Sequence, residues 1–211
     1  MSYLISHPGD VLTLLLQHLR MTGIALGVAI ALSVPLALLV TRLRWLAVPV
    51  LGGLGVFYTI PSLALIIFLV PLFGLNATSV IVAMVFYTQV ILVRNLTVGL
   101  AGINPTVLEA ARGMGMTVAQ RWWQVQVPLV LPVFLAGVRI AAVVAIAIAT
   151  IGAKFNAGGL GKLLFDGIQT NRYDKIVAGS MAVAALALTI NGLLLTLEYY
   201  AQPQRRLQKE T

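Results

Sequence analysis

Cysteine is absent from this 211-residue sequence, and charge is scarce, at 9% of positions. Without thiols there is no disulfide and no thiolate-bound metal, and nothing marks the redox compartment. An ordinary soluble domain is about 25% charged, so the polar residues here are too few to coat a surface in water. No carboxylate cluster and no Ser/His/Asp grouping stands out, which argues against a hydrolytic centre. His7 and His18 lack the spacing and acidic neighbours of a metal site and are expected at a surface or interface, with no metal bound. A positive leader is also missing from the first ten residues, MSYLISHPGD, whose first charged side chain is Asp10. The expectation is that the first apolar run itself acts as the insertion signal.

What the sequence does contain is hydrophobic residues, 60% of the total, arranged in long runs. Crossing about 30 Å of hydrocarbon takes about 20 apolar residues in a helix. Runs at about residues 21–40, 51–73, 77–93, 133–151 and 176–197 meet that need. They predict an all-α integral membrane bundle of five transmembrane helices, read as one domain over residues 1–211. The region 45–75 is too long for one straight crossing and too short for two. Pro49, Pro61 and Pro71 punctuate it, and proline removes a helical hydrogen bond; one span bent at Pro61 is expected, with a six-span division as the alternative. Gly23 and Gly27 have the GxxxG spacing of closely packed helices, and Ser33, Ser62, Ser79 and Ser180 are of the small hydroxyl type that mediates such packing. Asn76 is expected as the turn before the third span, and Arg94 as its end.

The net charge is +8. The basic residues stand singly between apolar runs, not on one soluble face, which disfavours a nucleic-acid partner. Lys and Arg accumulate on the cytoplasmic side of membrane proteins. With the N-terminus out and the C-terminus in, Arg42, Arg44, Arg94, Arg112, Arg121, Arg139, Arg205, Arg206 and Lys209 fall on the inner side. Only Arg20, Lys154, Lys162, Arg172 and Lys175 fall on the outer. Arg139 lies inside the fourth span, where a charge costs about 3 kcal/mol. It is expected to snorkel or to pair with a buried acceptor, and Glu198 to sit at the interface near Arg205 and Arg206. On the outer side, GGLGK at residues 158–162 is no phosphate loop: Asn156 holds the first glycine position and Leu163 the Ser/Thr position. A short helix is expected at residues 162–168.

The longest polar interruption, residues 104–128, reads as a helical hairpin. Asn104 caps and Pro105 suits the first helical position, so a helix over residues 105–113 is predicted. Gly113 and Gly115 supply the turn. Thr117-Val118-Ala119-Gln120 has the form of a capping box that starts a second helix, with Trp122 and Trp123 as interfacial anchors and Pro128 and Pro132 marking its exit. Ala110, Ala111, Gly113 and Gly115 form a face without bulk, open to close approach by another surface.

These residues carry a family resemblance. Glu109-Ala110-Ala111, then Gly115 after three residues, then Val125-Gln126-Val127-Pro128 after nine more, resembles the EAA loop of ABC importer membrane subunits. Valine stands in for Ile and Leu of that pattern. YTIPSLALIIFLVPLFG (58–74), Arg94-Asn95, EAARGMGMT (109–117) and AGGLG (157–161) resemble permeases for osmoprotectants such as glycine betaine, carnitine or choline. Lys154, Phe155 and Asn156 before AGGLG are less typical, and Asn191 stands where an acidic residue is usual. The resemblance implies a multi-pass subunit of a bacterial-type cytoplasmic membrane whose loop 104–128 couples to a separate ATPase. Glu109, Ala110, Ala111, Gly115 and Pro128 are then the coupling residues. ATP and Mg would be bound by the ATPase, with no cofactor in this chain. The other partners implied are a second permease copy or paralogue and an extracytoplasmic substrate-binding protein. Tyr58, Thr59, Ser62, Tyr87, Thr88 and Gln89 are candidates for the translocation path, the tyrosine faces being suited to a quaternary ammonium. An amino-acid importer permease, for instance for methionine, is the runner-up. An ion-coupled secondary transporter would need intramembrane acids or repeated broken helices.

Overall fold

The computed structural model describes residue 3 and residues 6–202. Every regular element among them is helical. Arg205, Arg206 and Lys209, assigned above to the inner side, lie outside the described residues.

Helix α1 (Pro8–Arg42) begins well before residue 21, because residues 11–19 are mostly apolar and Pro8 occupies a first-turn position that needs no N–H. After a 3-10 turn at Arg44–Leu46, α2 (Ala47–Thr59) and α3 (Ser62–Phe73) follow. They meet at 98°, with the bend at Ile60-Pro61 where the proline predicts it. Helix α4 (Ala77–Ala101) starts on Asn76, whose Oδ1 accepts from the Thr78 N–H at 2.7 Å. It does not end at Arg94. That side chain is exposed on its flank, and the ladder continues because no proline intervenes before Pro105.

The hairpin helix α5 (Pro105–Gly113) and the short α6 (Val118–Gln120) come next. Here the expected exit at Pro128 and Pro132 is corrected. Residues 118–155 form one continuous rod: α6, a π-helical stretch at Arg121–Gln126, α7 (Val127–Gly152) and a 3-10 turn. In the π stretch the Val127 N–H bonds the Trp122 carbonyl, five residues back. The widened turn lets a ladder pass directly into Pro128, which has no N–H to give. Helix α8 (Gly161–Gln169) covers the short helix predicted at 162–168, and α9 (Tyr173–Ala201) closes the chain.

Helix α4 is the centre. It packs along α1 on one side and α7 on the other, while α9 lies on α7 and α8. Three apolar layers stack along this axis. One joins Ala25, Ile66, Val80, Met84 and Ala149, the next Ala29, Leu92 and Ala141, the last Ala37, Val93 and Val130. On α1 the buried Ala25, Ala29, Ser33 and Ala37 recur every four residues, a small-residue stripe that brings backbones close. Gly23 and Gly27 do not serve this contact: a Cβ at either would meet nothing within 4 Å. The close α4–α7 approach uses other glycines. A Cβ at Gly152 would lie 2.5 Å from Val80 Cγ1, and one at Gly137 2.8 Å from Asn95 Cβ.

Among the described residues four helices are long and apolar enough to cross a membrane, five if the bent α2–α3 pair counts as one span. Large apolar side chains such as Val48, Phe68 and Leu188 stand outward, 81%, 71% and 72% exposed. In water they would be a liability; facing lipid they need no cover.

Gly152→Leu is expected to overpack the α4–α7 seam at a cost of about 1–3 kcal/mol, whereas Gly27→Leu is not. Denaturation midpoints of the two variants in detergent check this.

Candidate functional site

Two places in the fold gather the residues singled out by the sequence. The first is the hairpin. Asn104 Oδ1 accepts from the Thr106 N–H at 3.0 Å, which starts α5. The capping box forms as predicted: Gln120 N–H donates to Thr117 Oγ1 at 3.3 Å, and Thr117 N–H to Gln120 Oε1 at 2.8 Å. Gly115 holds a left-handed φ of +77°, the conformation that favours glycine. Ala111 is the one buried residue of α5. Glu109, Ala110, Gly113 and Gly115 are exposed, and a Cβ at Gly113 or Gly115 would meet nothing within 4 Å. The small-residue face is therefore open. Met114 and Val118, 74% and 69% exposed, add apolar surface beside it. Pro128 is half-buried, set back on the first turn of α7.

The second place is the α2–α3 break. Pro61 has no N–H, so the end of α2 is left with unpaired carbonyls. The Tyr87 hydroxyl, reaching from α4, donates to the Ile60 carbonyl, and the Thr59 hydroxyl donates to the Val56 carbonyl at 2.7 Å. Around them lies a cavity of about 340 Å³ lined by Tyr58, Thr59, Ser62 and Tyr87, with Val144 and Ile148 of α7 as its far wall. The Tyr58 and Tyr87 rings are 5.6 Å apart between centroids and tilted by 57°. From residue 77 to residue 87 is about 15 Å of helix, half of a hydrocarbon layer of about 30 Å. Among the predicted path residues, Thr88 and Gln89 do not join this cavity. Thr88 is buried, its hydroxyl bonded to the Met84 carbonyl at 2.8 Å. The Gln89 amide faces α1; with its oxygen and nitrogen assigned so that both are hydrogen-bonded, the nitrogen lies 3.1 Å from the Ala29 carbonyl and the oxygen 3.1 Å from the Ser33 N–H. The α7 wall was not singled out from the sequence, since apolar residues in an apolar run carry no signal.

The intramembrane charge finds its partner. Arg139 Nε donates to Glu198 Oε2 at 3.1 Å, and Nη1 to Asn191 Oδ1 at 3.4 Å. Both acceptors for Arg139 are thus on α9; Arg205 and Arg206, near which Glu198 was expected, lie outside the described residues. His18, expected at a surface or interface, is fully buried and packs against Gly159. Gly158 and Gly159 have positive φ, and the Gly159 N–H donates to Gln17 Oε1 at 3.1 Å. The AGGLG segment therefore closes onto α1, with Gly161 against the Thr150 carbonyl.

Against known proteins, residues 23–207 match the family model described as the binding-protein-dependent transport system inner membrane component. The chain is 37% identical over 207 residues to the osmoprotectant import permease protein OsmW of Salmonella typhimurium, covering 96% of both chains. It is 37% identical to the carnitine transport permease protein OpuCB of Listeria monocytogenes, over 89% of this chain and 86% of that one. It is 33% identical to the glycine betaine/carnitine/choline transport system permease protein OpuCB of Bacillus subtilis, over 97% and 94%. Among solved structures it superposes on a chain of the inward-facing MetNI methionine ABC transporter with a TM-score of 0.79 at 20% identity, covering 92% of this chain and 96% of that one. That likeness concerns the fold.

Tyr87→Phe removes the donor to the Ile60 carbonyl and is expected to destabilise the protein by about 1–3 kcal/mol. Tyr58→Phe is expected to leave the midpoint unchanged. Thermal denaturation in detergent separates the two.

Proposed function

The chain belongs to the binding-protein-dependent transport system inner membrane component family, and from that premise we propose that it carries an osmoprotectant of the glycine betaine, carnitine or choline class across the cytoplasmic membrane. It is the permease subunit of an ABC importer. The observation that carries the substrate class is the identity, over nearly the whole chain, to permeases named for those solutes. The methionine alternative has a likeness of fold in its favour and no more.

In this reading the bent α2–α3 pair is one broken span among five, with the N-terminus outside. The positive-inside rule supports that orientation. Broken backbone at membrane depth is tolerated where protein bonds it or where it lines a cavity, and the Ile60-Pro61 bend meets both conditions. Tyr58 and Tyr87 offer aromatic faces to a quaternary ammonium, in a cavity of a size suited to a small solute. Ser62 supplies a hydroxyl for a carboxylate or hydroxyl end, and Thr59, its proton given to the Val56 carbonyl, can accept from a hydroxyl end.

The hairpin is the coupling element. Glu109, Ala110 and Gly115 form the contact with an ATPase subunit, which binds ATP and Mg; Ala111, buried, holds α5 in place behind them, and Pro128 sits on the first turn of α7 in the rod that carries the hairpin. A second permease copy or paralogue and an extracytoplasmic binding protein complete the assembly. Nucleotide-driven closure of the ATPase pair displaces the hairpin and shifts the bundle between inward- and outward-facing states. Substrate biases that equilibrium only by binding one state better than the other.

Glu109→Lys is expected to abolish uptake of radiolabelled glycine betaine, carnitine and choline while the protein remains in the membrane at its normal level. Undiminished uptake would remove the coupling role. In cells at high osmolarity, deletion of this chain is expected to lower uptake of at least one of these solutes while methionine uptake stays intact. The reverse pattern would favour the methionine reading.

A further inference from the structure

A cavity of about 680 Å³ lies away from the α2–α3 break. It opens between the end of α1, the end of α4 and the inner side of the hairpin. Arg42, Arg112 and Arg121 line it, each from a different segment, and among the described residues no acidic side chain does. The described ion pairs, Arg139–Glu198 and Arg172–Asp174, involve none of these three. Arg121 Nη1 donates to the Met116 carbonyl at 2.8 Å. That bond holds the guanidinium in place and leaves most of its five N–H donors available.

A second cavity, about 410 Å³, adjoins the first, and the two share Leu38, Leu100, Trp122, Trp123 and Gln126. The rest of its lining is apolar, reaching Val34 and Phe134. From residue 34 to residue 42 is about 12 Å of helix, compared with about 15 Å for one leaflet. The joint cleft therefore has a cationic mouth and an oily floor of nearly leaflet depth. Tryptophans stand at the boundary, where headgroups meet acyl chains.

We propose that this cleft binds one anionic phospholipid, its headgroup phosphate against Arg42, Arg112 and Arg121 and an acyl chain in the groove running to Phe134. Three like charges around one mouth repel one another, and a bound anion offsets that repulsion. Guanidinium forks match phosphate oxygens in pairs. A soluble phosphate would satisfy the mouth and leave the groove unfilled, and a zwitterionic lipid would fill the groove without neutralising the mouth. Glu109, Ala110 and Gly115, assigned above to the ATPase contact, are absent from the lining. The orientation proposed above puts this lipid in the inner leaflet; the site itself does not rest on that orientation.

The test uses the whole importer, with its partner subunits, in nanodiscs containing phosphatidylglycerol that bears a photoreactive group in the acyl chain. Crosslinks are mapped by peptide mass spectrometry. Labelling is expected at residues 34–38 and 127–134. Unlabelled phosphatidylglycerol is expected to displace it; phosphatidylcholine and excess inorganic phosphate are not. Arg42→Gln is expected to weaken labelling about five-fold, the effect of one arginine near an anionic lipid surface. Arg44→Gln, an equal loss of charge outside the cleft, leaves labelling unchanged. Equal displacement by phosphatidylcholine would overturn the proposal. So would displacement by inorganic phosphate, an equal effect of the two arginine variants, or crosslinks from the groove to a second copy of the chain. If Arg42→Gln fails to assemble, the competition in the wild-type complex decides alone.

Discussion

A peptide carbonyl left unbonded in hydrocarbon costs several kcal/mol, and the bend between α2 and α3 creates that problem at Ile60. The Tyr87 hydroxyl solves it. Tyr87 can do so because α4 runs through the middle of the bundle, pressed between α1 and α7. That placement in turn depends on the small residues of α1 and on Gly137 and Gly152 of α7, where no side chain could fit. The cavity at the break exists only while these contacts hold α4 in register.

The hairpin obeys a different economy. Isolated helices shorter than about 12–15 residues are marginal, and α5 and α6 are both shorter. Caps at Asn104 and Thr117, the buried Ala111 and the covalent run into α7 keep them formed. Little of the hairpin is spent on the bundle core, which leaves its outer face open. The same rod that begins at the hairpin supplies Val144 and Ile148 to the cavity wall. In the importer proposed here, α7 is thus the direct mechanical link between the ATPase contact and the solute path, since a rigid element transmits a displacement along its length.

Charge inside the bundle is held to a minimum and balanced. Arg139 has one carboxylate, Glu198, and one neutral acceptor, Asn191. An acid at residue 191 would leave a surplus negative charge. The two side chains are 27% and 18% exposed. The pair therefore lies between a surface ion pair, worth about 0–1 kcal/mol, and a buried one, whose breaking costs about 3–5 kcal/mol. At the hairpin end the balance is reversed, and among the described residues cations line the cleft without acids.

Local chemistry was legible from residue order. Hydrophobic run lengths report the membrane helices, Asn104-Pro105 and Thr117–Gln120 report the hairpin helices, and Pro61 reports the bend, because each acts within a few residues of itself. Arg94 and Pro128 misled as boundaries: a charge on an outward flank does not stop a helix, and a π turn carries the ladder into a proline. Gly23 and Gly27 matched a packing motif on the wrong face of α1, since spacing alone does not say which way a stripe points. Contacts between distant segments were invisible for the same reason. Tyr87 with Ile60, Arg139 with Glu198, Gln89 with α1 and the arginine-lined cleft all join residues far apart in the chain. Their pairing follows from how whole helices dock, and docking depends on shape summed over many side chains, which no short stretch encodes.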